Sequence, residues 1–135
     1  MTYTLYTDGG ARGNPGPAAI GGVLFGENNT VIHEFQKYIG TTTNNQAEYQ
    51  ALLAGLEYAH KKRIKNIHCF LDSELVVKQL NREYKVKDKN LAKLFVKAWN
   101  ICQTFSHITF TAVPRAKNKH ADALVNKALD DYEHQ

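Results

Sequence analysis

The sequence predicts an α/β domain built on a mixed β-sheet, and three observations lead to this fold class. Segments with strand-like alternation fill the first part of the chain, while short apolar strands and segments of helical spacing alternate in the second part. The predicted order of elements is β-β-β-α-β-α-α-β-α. A length of 135 residues and a hydrophobic share of 43% fit one domain that covers residues 1–135.

Three strands are predicted to open the chain as an antiparallel meander. Tyr3 and Leu5 alternate with small polar residues in a strand that ends at Asp8, and the stretch 9–17, rich in Gly and Pro, predicts a loop. The turn-prone residues 26–29 join the next two strands. The predicted strands cover residues 2–7, 18–25 and 30–39.

The first long helix is predicted to begin at a capping box. Thr43 and Gln46 stand at the spacing at which a hydroxyl and a side-chain amide bond to free backbone N–H groups. Apolar residues then recur at helical spacing to about Lys62. This pattern predicts a helix with one face packed on the sheet.

A strand, two helices, a last strand and a closing helix complete the prediction. The apolar run 67–71 predicts a strand that ends at Asp72, after which Ser73 begins a second helix. Trp99 lies in the apolar stripe of a third helix and is predicted to be buried, and Asn118 is the predicted N-cap of the closing helix. The third helix has its stripe over 91–105, the last strand covers 108–113 and the closing helix has its stripe over 121–129.

The charge pattern favours a polyanionic partner. Seventeen Lys and Arg residues against thirteen Asp and Glu residues give a formal charge of +4, and the segment 78–97 is the most basic part of the chain. Further basic clusters lie at 61–65 and 115–119. An ordinary solvated helix face gives the same pattern, so charge alone leaves both interpretations open.

Several classes of protein and of site are excluded. Cys69 and Cys102 do not form a disulfide framework or a zinc motif, and the chain has neither a signal-peptide pattern nor an apolar run of about 18 residues, so we expect a cytoplasmic protein with no membrane partner. The glycine-rich stretch lacks a Walker A lysine pattern. Neither Ser73 nor Ser106 lies in a G-x-S-x-G motif, which argues against a side-chain nucleophile.

Four carboxylates remain as candidates for chemistry. Asp8 and Asp72 end predicted strands, and Glu48 and Asp122 lie near the beginnings of two helices. Each has an ordinary alternative, because an acid is favoured at a helix N-terminus and an Asp often begins a turn. Four acids at one sheet edge, however, would repel each other unless cations lay between them, and oxygen ligands select Mg²⁺ or Mn²⁺.

In four linked blocks the chain resembles the type 1 branch of the ribonuclease H family. The blocks are TDGGARGNPGPAAIGGVL, TTTNNQAEYQALLAGL, LDSELVVKQL and VPRAKNKHADALVNKAL. The resemblance implies the ribonuclease H-like fold, a five-stranded mixed sheet with three antiparallel and two parallel strands and about four helices. It also implies an endonuclease that uses two Mg²⁺ or Mn²⁺ ions to hydrolyse the RNA strand of an RNA/DNA hybrid, leaving 5′-phosphate and 3′-hydroxyl ends. The oligomeric state does not follow from the sequence, and we expect a monomer.

The resemblance also assigns residues. Asp8 would hold both ions, Glu48 would bind one ion and contact a ribose 2′-hydroxyl, and Asp72 and Asp122 would complete the metal site. The remaining assigned residues contact the hybrid: Asn14 and Thr43 near a DNA phosphate, and Asn44 and Asn45 in the minor groove.

Three departures from the family pattern stand out. The loop that carries a mobile His in many relatives has no counterpart, so Arg115 or His120 is the candidate substitute in product release, and Arg115 is also a candidate phosphate contact. The basic protrusion of longer relatives is absent, which makes this a short form that would either bind the hybrid more weakly or bind it through Lys85, Lys87 and Lys89. Glu74 replaces a more frequent Gln and adds a negative charge near the nucleic acid.

Two other classes remain as alternatives to the enzyme. A module that binds hybrids with weak or no hydrolysis would share the same surface, although such proteins commonly lose one of the acids. A small-ligand protein of flavodoxin-like order conflicts with the antiparallel meander and with the missing phosphate loop. Transposases and junction resolvases share the fold type but lack the TDGG and NNQAE motifs.

Overall fold

The computed structural model describes all 135 residues and shows one mixed sheet with helices on both faces. The strands are β1 (Tyr3–Ala11), β2 (Gly16–Phe25), β3 (Val31–Thr42), β4 (Asn66–Leu71) and β5 (His107–Ala112). The helices are α1 (Asn44–Lys61), α2 (Glu74–Leu80), α3 (Lys89–Cys102) and α4 (Lys119–Glu133), with short 3-10 turns at Glu27–Asn29 and Arg115–Lys117. None of the helices is long and apolar enough to cross a lipid bilayer.

The sheet confirms the predicted class and the predicted order of elements. Its strand order is β3-β2-β1-β4-β5, in which β1 pairs antiparallel with β2, and β2 pairs antiparallel with β3. The pairs β1–β4 and β4–β5 are parallel. The chain therefore changes from hairpin connections to helical crossovers after β3, as the change from alternation to helical spacing predicts.

The two faces of the sheet carry separate hydrophobic cores. On one face, α1, α2 and α3 bury the larger cluster of 17 residues, which includes Leu5, Leu24 and Leu52. On the other face, α4 covers a smaller cluster formed by Ala19, Val125, Ala128 and Leu129. Leu24 and Ala19 belong to different clusters because they are five residues apart on one strand and point to opposite faces.

The predicted end of the first strand at Asp8 is wrong. β1 continues to Ala11, because Gly9 and Gly10 pair with Ile20 and Ala19 of β2. Glycines have no side chain, so they add nothing to an alternating pattern and the sequence does not mark the strand beyond Asp8. Pairing with β2 holds this part of the strand. Asp8 consequently lies inside a paired strand rather than at its end.

Two glycines allow helices to approach the sheet on either side of Asp8. A Cβ at Gly9 would overlap the backbone carbonyl of Ala47 in α1, and a Cβ at Gly21 would lie 2.8 Å from the carbonyl oxygen of Ala121 in α4. Gly21 pairs with Asp8 across β1 and β2 and therefore shares its face of the sheet. The absent side chains let the first turn of α1 pack closely against β1 at Gly9, and the first turn of α4 against β2 at Gly21, which is the partner of Asp8.

Three local predictions need correction. Trp99 is 38% exposed instead of buried, with the Arg82 guanidinium 5.2 Å from its ring centroid, because the buried face of α3 passes through the adjacent Ala98. The capping box is half formed: the Thr43 hydroxyl accepts from the Gln46 N–H, but the Gln46 side chain accepts from Thr42. Asn118 does stand at the predicted N-cap position of α4, but its side chain makes no capping bond.

Candidate metal and nucleic-acid site

The first two carboxylates come together through the parallel register of β1 and β4. Tyr6 pairs with Phe70, and Asp8 and Asp72 each follow two residues later. Beyond Phe70 the pairing of the two strands ends, which opens a gap at this edge of the sheet. Carboxyl ends of neighbouring parallel strands are where α/β sheets place their ligand sites.

Glu48 enters the site from the first turns of α1. Its Oε1 accepts a 2.9 Å hydrogen bond from the backbone N–H of Gly9, the residue after Asp8. Its Oε2 is buried without any hydrogen-bond partner. Glu48 is 6% exposed and Asp8 is 7% exposed, so two carboxylates are buried side by side.

Asp122 comes from the first turn of α4 and lies at the more open side of the site. Its Oδ1 lies 3.2 Å from Nη2 of Arg115, and its Oδ2 accepts from the Asn126 side chain at 3.4 Å. The Arg115 side chain is 77% exposed at the mouth of the cavity. The guanidinium places a positive charge beside the carboxylate of Asp122.

Burial and neighbouring negative charge raise the pKa values of three of the carboxylates. Burial raises the pKa of Asp8 to about 7, and the charges of Asp72 and Asp122 act in the same direction. Burial and the adjacent Asp8 raise the pKa of Glu48 well above its ordinary value, and burial also raises the pKa of Asp72. A cation held among these carboxylates would balance their charges and favour the ionised forms.

This donor set fits a hard divalent cation. Oxygen atoms of Asp8, Glu48 and Asp72 lie within 4.8 Å of one another, close enough to be ligands of one centre. The unpartnered Oε2 of Glu48 supplies a free acceptor, and no thiol or imidazole lies among the residues that line the cavity. Carboxylate-only sites are typical of Mg²⁺ and Mn²⁺ rather than of Zn²⁺.

All four carboxylates line one open cavity of about 510 Å³. Asn44 and Asn45 line it as well, whereas Asn14 and Thr43 do not. Asn14 Oδ1 accepts from the Asn44 backbone N–H at 3.0 Å, and Asn44 Oδ1 accepts from the Ala11 N–H at 2.8 Å. The β1–β2 loop and the start of α1 are thereby joined at the rim of the cavity.

Neither His120 nor Glu74 lines the carboxylate cavity. The Nε2 atom of His120 lies 3.2 Å from Glu34 on β3, and its ring packs edge-on against Phe25. Glu74 is exposed and pairs with Lys78 at 2.7 Å, one turn further along α2. The first turn of α4 directs residue 120 away from residue 122, which explains the separation of His120 from the site.

One residue near the carboxylates was missed as a site residue by sequence analysis. Asn118 is 1% exposed, and its amide nitrogen bonds to the carbonyl of Thr7 at 2.9 Å and to Oδ2 of Asp72 at 3.4 Å. In the sequence, Asn118 is an Asn four residues before Asp122. The same pattern is typical of a helix N-cap, so it did not indicate a site residue.

Comparisons with known proteins agree with this fold. The profile of a family described as reverse transcriptase-like matches residues 6–128. Ribonuclease HI of Halobacterium salinarum is 46% identical over 126 residues, which are 93% of this chain and 63% of that protein. The crystal structure of RNase H1 from Halobacterium salinarum is 44% identical and superposes with a TM-score of 0.93 over 97% of this chain and 99% of that chain.

Two further relatives extend the comparison. The bifunctional protein Rv2228c of Mycobacterium tuberculosis is 44% identical over 131 residues, which are 96% of this chain but 36% of that protein. LC11-RNase H1, whose structure was solved in complex with an RNA/DNA hybrid, is 43% identical, with a TM-score of 0.91 over 96% of this chain and 98% of that chain. The chain thus spans about a third of the length of the mycobacterial relatives.

The fold and the carboxylate cluster define a metal-binding domain of the nuclease type. The chain belongs to the reverse transcriptase-like family and, within it, to the ribonuclease H proteins.

Proposed function

We propose that this chain is an endonuclease that hydrolyses the RNA strand of RNA/DNA hybrids, leaving 5′-phosphate and 3′-hydroxyl ends. The observation that carries the proposal is the group of three carboxylates within 4.8 Å, with Asp122 in the same cavity. The membership of the ribonuclease H family supports the choice of reaction, and the hybrid bound to LC11-RNase H1 supports the choice of substrate.

We propose two Mg²⁺ or Mn²⁺ ions as the cofactors. When bound, such ions activate a water molecule and stabilise charge on the attacking and leaving oxygens of a phosphodiester. Asp8, buried between Glu48 and the two other acids, is the residue suited to contact both ions. Asp72 and Asp122 would each supply a further ligand to one of the ions, and Glu48 would bind through its Oε2, which has no hydrogen-bond partner.

The carboxylates must be ionised to hold cations. Burial raises the pKa of Asp8 to about 7 and also raises the pKa of Glu48. Without a metal ion, the pair of carboxyl groups therefore retains a proton near neutral pH. Cation binding releases such protons, which makes affinity for the ion rise with pH.

Polar residues at the rim of the cavity are suited to hold the hybrid. Asn44 and Asn45 line the cavity beside Glu48, and we propose that they contact the minor groove. Asn14 and Thr43 would contact the DNA strand near a phosphate, and the bond from Asn44 N–H to Asn14 fixes these two segments together. Glu48 would read the ribose 2′-hydroxyl, which is the group that distinguishes RNA from DNA.

Positive charge near the cavity is suited to phosphate. The exposed guanidinium of Arg115 lies beside Asp122 and would contact a phosphate of the RNA product. Lys85, Lys87 and Lys89 lie in and just after the connection between α2 and α3, and we propose that they bind the hybrid backbone. We further propose that residues 1–135 act as a single, monomeric domain in the cytoplasm; the two free cysteines support a reducing compartment.

The experiment that tests the proposed function compares substrates and ions. Purified protein is incubated with end-labelled RNA/DNA, RNA/RNA and DNA/DNA duplexes in the presence of Mg²⁺, Mn²⁺ or chelator. We expect cleavage of the RNA strand of the hybrid alone, only with a divalent ion, and with 3′-hydroxyl product ends. Tight binding of the hybrid with no cleavage under any ion would instead favour a binding module.

A further inference from the structure

Asn118 connects three of the four elements that carry the carboxylates. Its side-chain amide donates to the carbonyl of Thr7, which immediately precedes Asp8 on β1, at 2.9 Å. The same amide donates to Oδ2 of Asp72, which follows β4, at 3.4 Å. Its backbone carbonyl accepts the N–H of Asp122 in the first turn of α4 at 3.0 Å.

The orientation of the Asn118 amide follows from its partners. The Thr7 carbonyl and the Asp72 carboxylate are both acceptors, so only the NH₂ group of Asn118 can face them. That group has two hydrogens to donate, enough for one to each partner. A residue with a hydroxyl group would donate a single proton and could not bond to both partners at once.

This arrangement does not serve the stability of α4. Asn118 occupies the position before the helix, where an Asn side chain usually caps a free N–H group, but it makes no such bond. Its Oδ1 is buried without a partner, which is unfavourable for folding. The contacts of the side chain are with Thr7 and Asp72, both of which belong to the neighbourhood of the carboxylates.

We propose that Asn118 is a positioning residue, which fixes the distances between Asp8, Asp72 and Asp122 so that the site can hold divalent ions. This inference rests on the proposed function. Residues that bond to a metal ligand orient it, and their loss commonly weakens metal binding by about 10- to 100-fold. Asn118 bonds directly to Asp72 and holds Asp8 and Asp122 through the backbone.

The test uses two variants of Asn118 and a control. Asn118→Ala removes the amide, and Asn118→Leu removes it while filling a similar volume, so that one of them reports on the hydrogen bonds if the other folds poorly. Gln79→Ala is the control, because Gln79 is also a buried amide and accepts a 2.6 Å hydrogen bond from Tyr49, away from the carboxylates. Binding of Mn²⁺ to each protein without nucleic acid is measured by calorimetry, below the unfolding temperature of every variant.

We expect both Asn118 variants to bind Mn²⁺ at least tenfold more weakly than the wild type, and the Gln79 variant to bind it as the wild type does. Hybrid cleavage by the Asn118 variants should need more Mg²⁺ for half-maximal rate, with the KM for the hybrid within about twofold of the wild-type value. Unchanged Mn²⁺ binding in both Asn118 variants, or an equal loss in Gln79→Ala, would overturn the inference. A wild-type protein that neither binds Mn²⁺ nor cleaves the hybrid would overturn the proposed function instead.

Discussion

Glu48 Oε1 accepts a hydrogen bond of 2.9 Å from the backbone N–H of Gly9, so a carboxylate on α1 is bonded to the strand residue that follows Asp8. The bond joins two elements whose residues are 39 positions apart in the chain. It depends on close packing of α1 against β1, because Gly9 has no side chain to separate them. The relative position of Asp8 and Glu48 is thus set by backbone contacts rather than by a loop.

Gly9→Ala should separate this pair. The added Cβ would overlap the carbonyl of Ala47 and lie 2.7 Å from the Glu48 backbone nitrogen, so α1 must shift. We expect a loss of about 3 kcal/mol in the free energy of unfolding and at least a tenfold loss of hybrid cleavage. Urea unfolding and initial rates measure the two effects.

Gly10→Ala is the matched control for stability. Its added Cβ would meet its nearest neighbours, Asn44 Oδ1 and Val125 Cγ1, at 3.9 Å, which is an ordinary contact. Equal stability of the two variants would contradict the close-packing argument.

The fold class and the order of elements could be predicted from the sequence because the spacing of apolar residues shows which face of each strand or helix is buried. The end of β1 could not be predicted in this way. Gly9 and Gly10 carry no pattern, and their pairing with Ile20 and Ala19 depends on a strand reached through a separate loop. Trp99 was predicted to be buried because it belongs to the apolar stripe of α3. The stripe is broad, and the elements that pack beside the helix decide which of its residues stay exposed, as Trp99 does.

The four carboxylates of the candidate site were identified from predicted strand ends and helix beginnings and from the family motifs, although Asp8 lies inside β1 in the structure. Asn118 was not, because its partner Thr7 is 111 residues away in the chain and no local spacing relates them. His120 was considered because it is two residues from Asp122, but sequence proximity on a helix does not give a shared direction. In the structure His120 lies beside Glu34 instead.

The stability of the metal-free protein should fall as pH rises from about 4 to 7. Asp8 has an unfolded-state pKa near 3.8 and a folded-state pKa of about 7, so in this interval the folded protein retains a proton that the unfolded chain has lost. The stabilisation by that proton is complete below the unfolded-state pKa and is lost as the pH rises through the folded-state pKa. Thermal unfolding in chelator at several pH values measures this trend.

Asp8→Asn should flatten that pH dependence, because the neutral amide removes one of the buried charges. At pH 7 in chelator, we expect its Tm to exceed that of the wild type by on the order of 5 °C. Asp130→Asn, an exposed acid on α4 that pairs with Arg12, is a control that should retain the wild-type slope. A Tm of Asp8→Asn below that of wild type under these conditions would contradict the assigned repulsion.

Arg115→Ala should slow turnover more than His120→Ala. Arg115 lies 3.2 Å from Asp122 at the mouth of the cavity, whereas His120 does not line it. We expect kcat to fall about tenfold in Arg115→Ala, with partial recovery in Arg115→Lys, and to stay within about twofold in His120→Ala. Steady-state kinetics on the hybrid would reject this assignment if His120→Ala were the slower variant.

Replacement of Lys85, Lys87 and Lys89 by Gln should weaken hybrid binding and its dependence on salt. If each lysine neutralises one phosphate, the slope of log affinity against log salt should fall by roughly 2 to 3. The same change at Lys61, Lys62 and Lys65 is the matched control, because it removes the same number of positive charges. These lysines lie at the C-terminal end of α1 and in the turn after it, whereas the cavity lies at the N-terminal end of α1. Equal slopes for the two triple variants would show that only total charge matters.

The most direct test of the account separates binding from cleavage in Asp8→Asn. Hybrid affinity is measured by fluorescence anisotropy in chelator, and RNA-strand cleavage is measured in Mg²⁺, for the wild type and the variant. We predict an affinity within about threefold of wild type together with a loss of cleavage of at least a thousandfold, because a neutral amide in the place of the Asp8 carboxylate cannot serve as a ligand to both ions. Cleavage by Asp8→Asn at the wild-type rate would contradict the central claim that these carboxylates hold the catalytic ions.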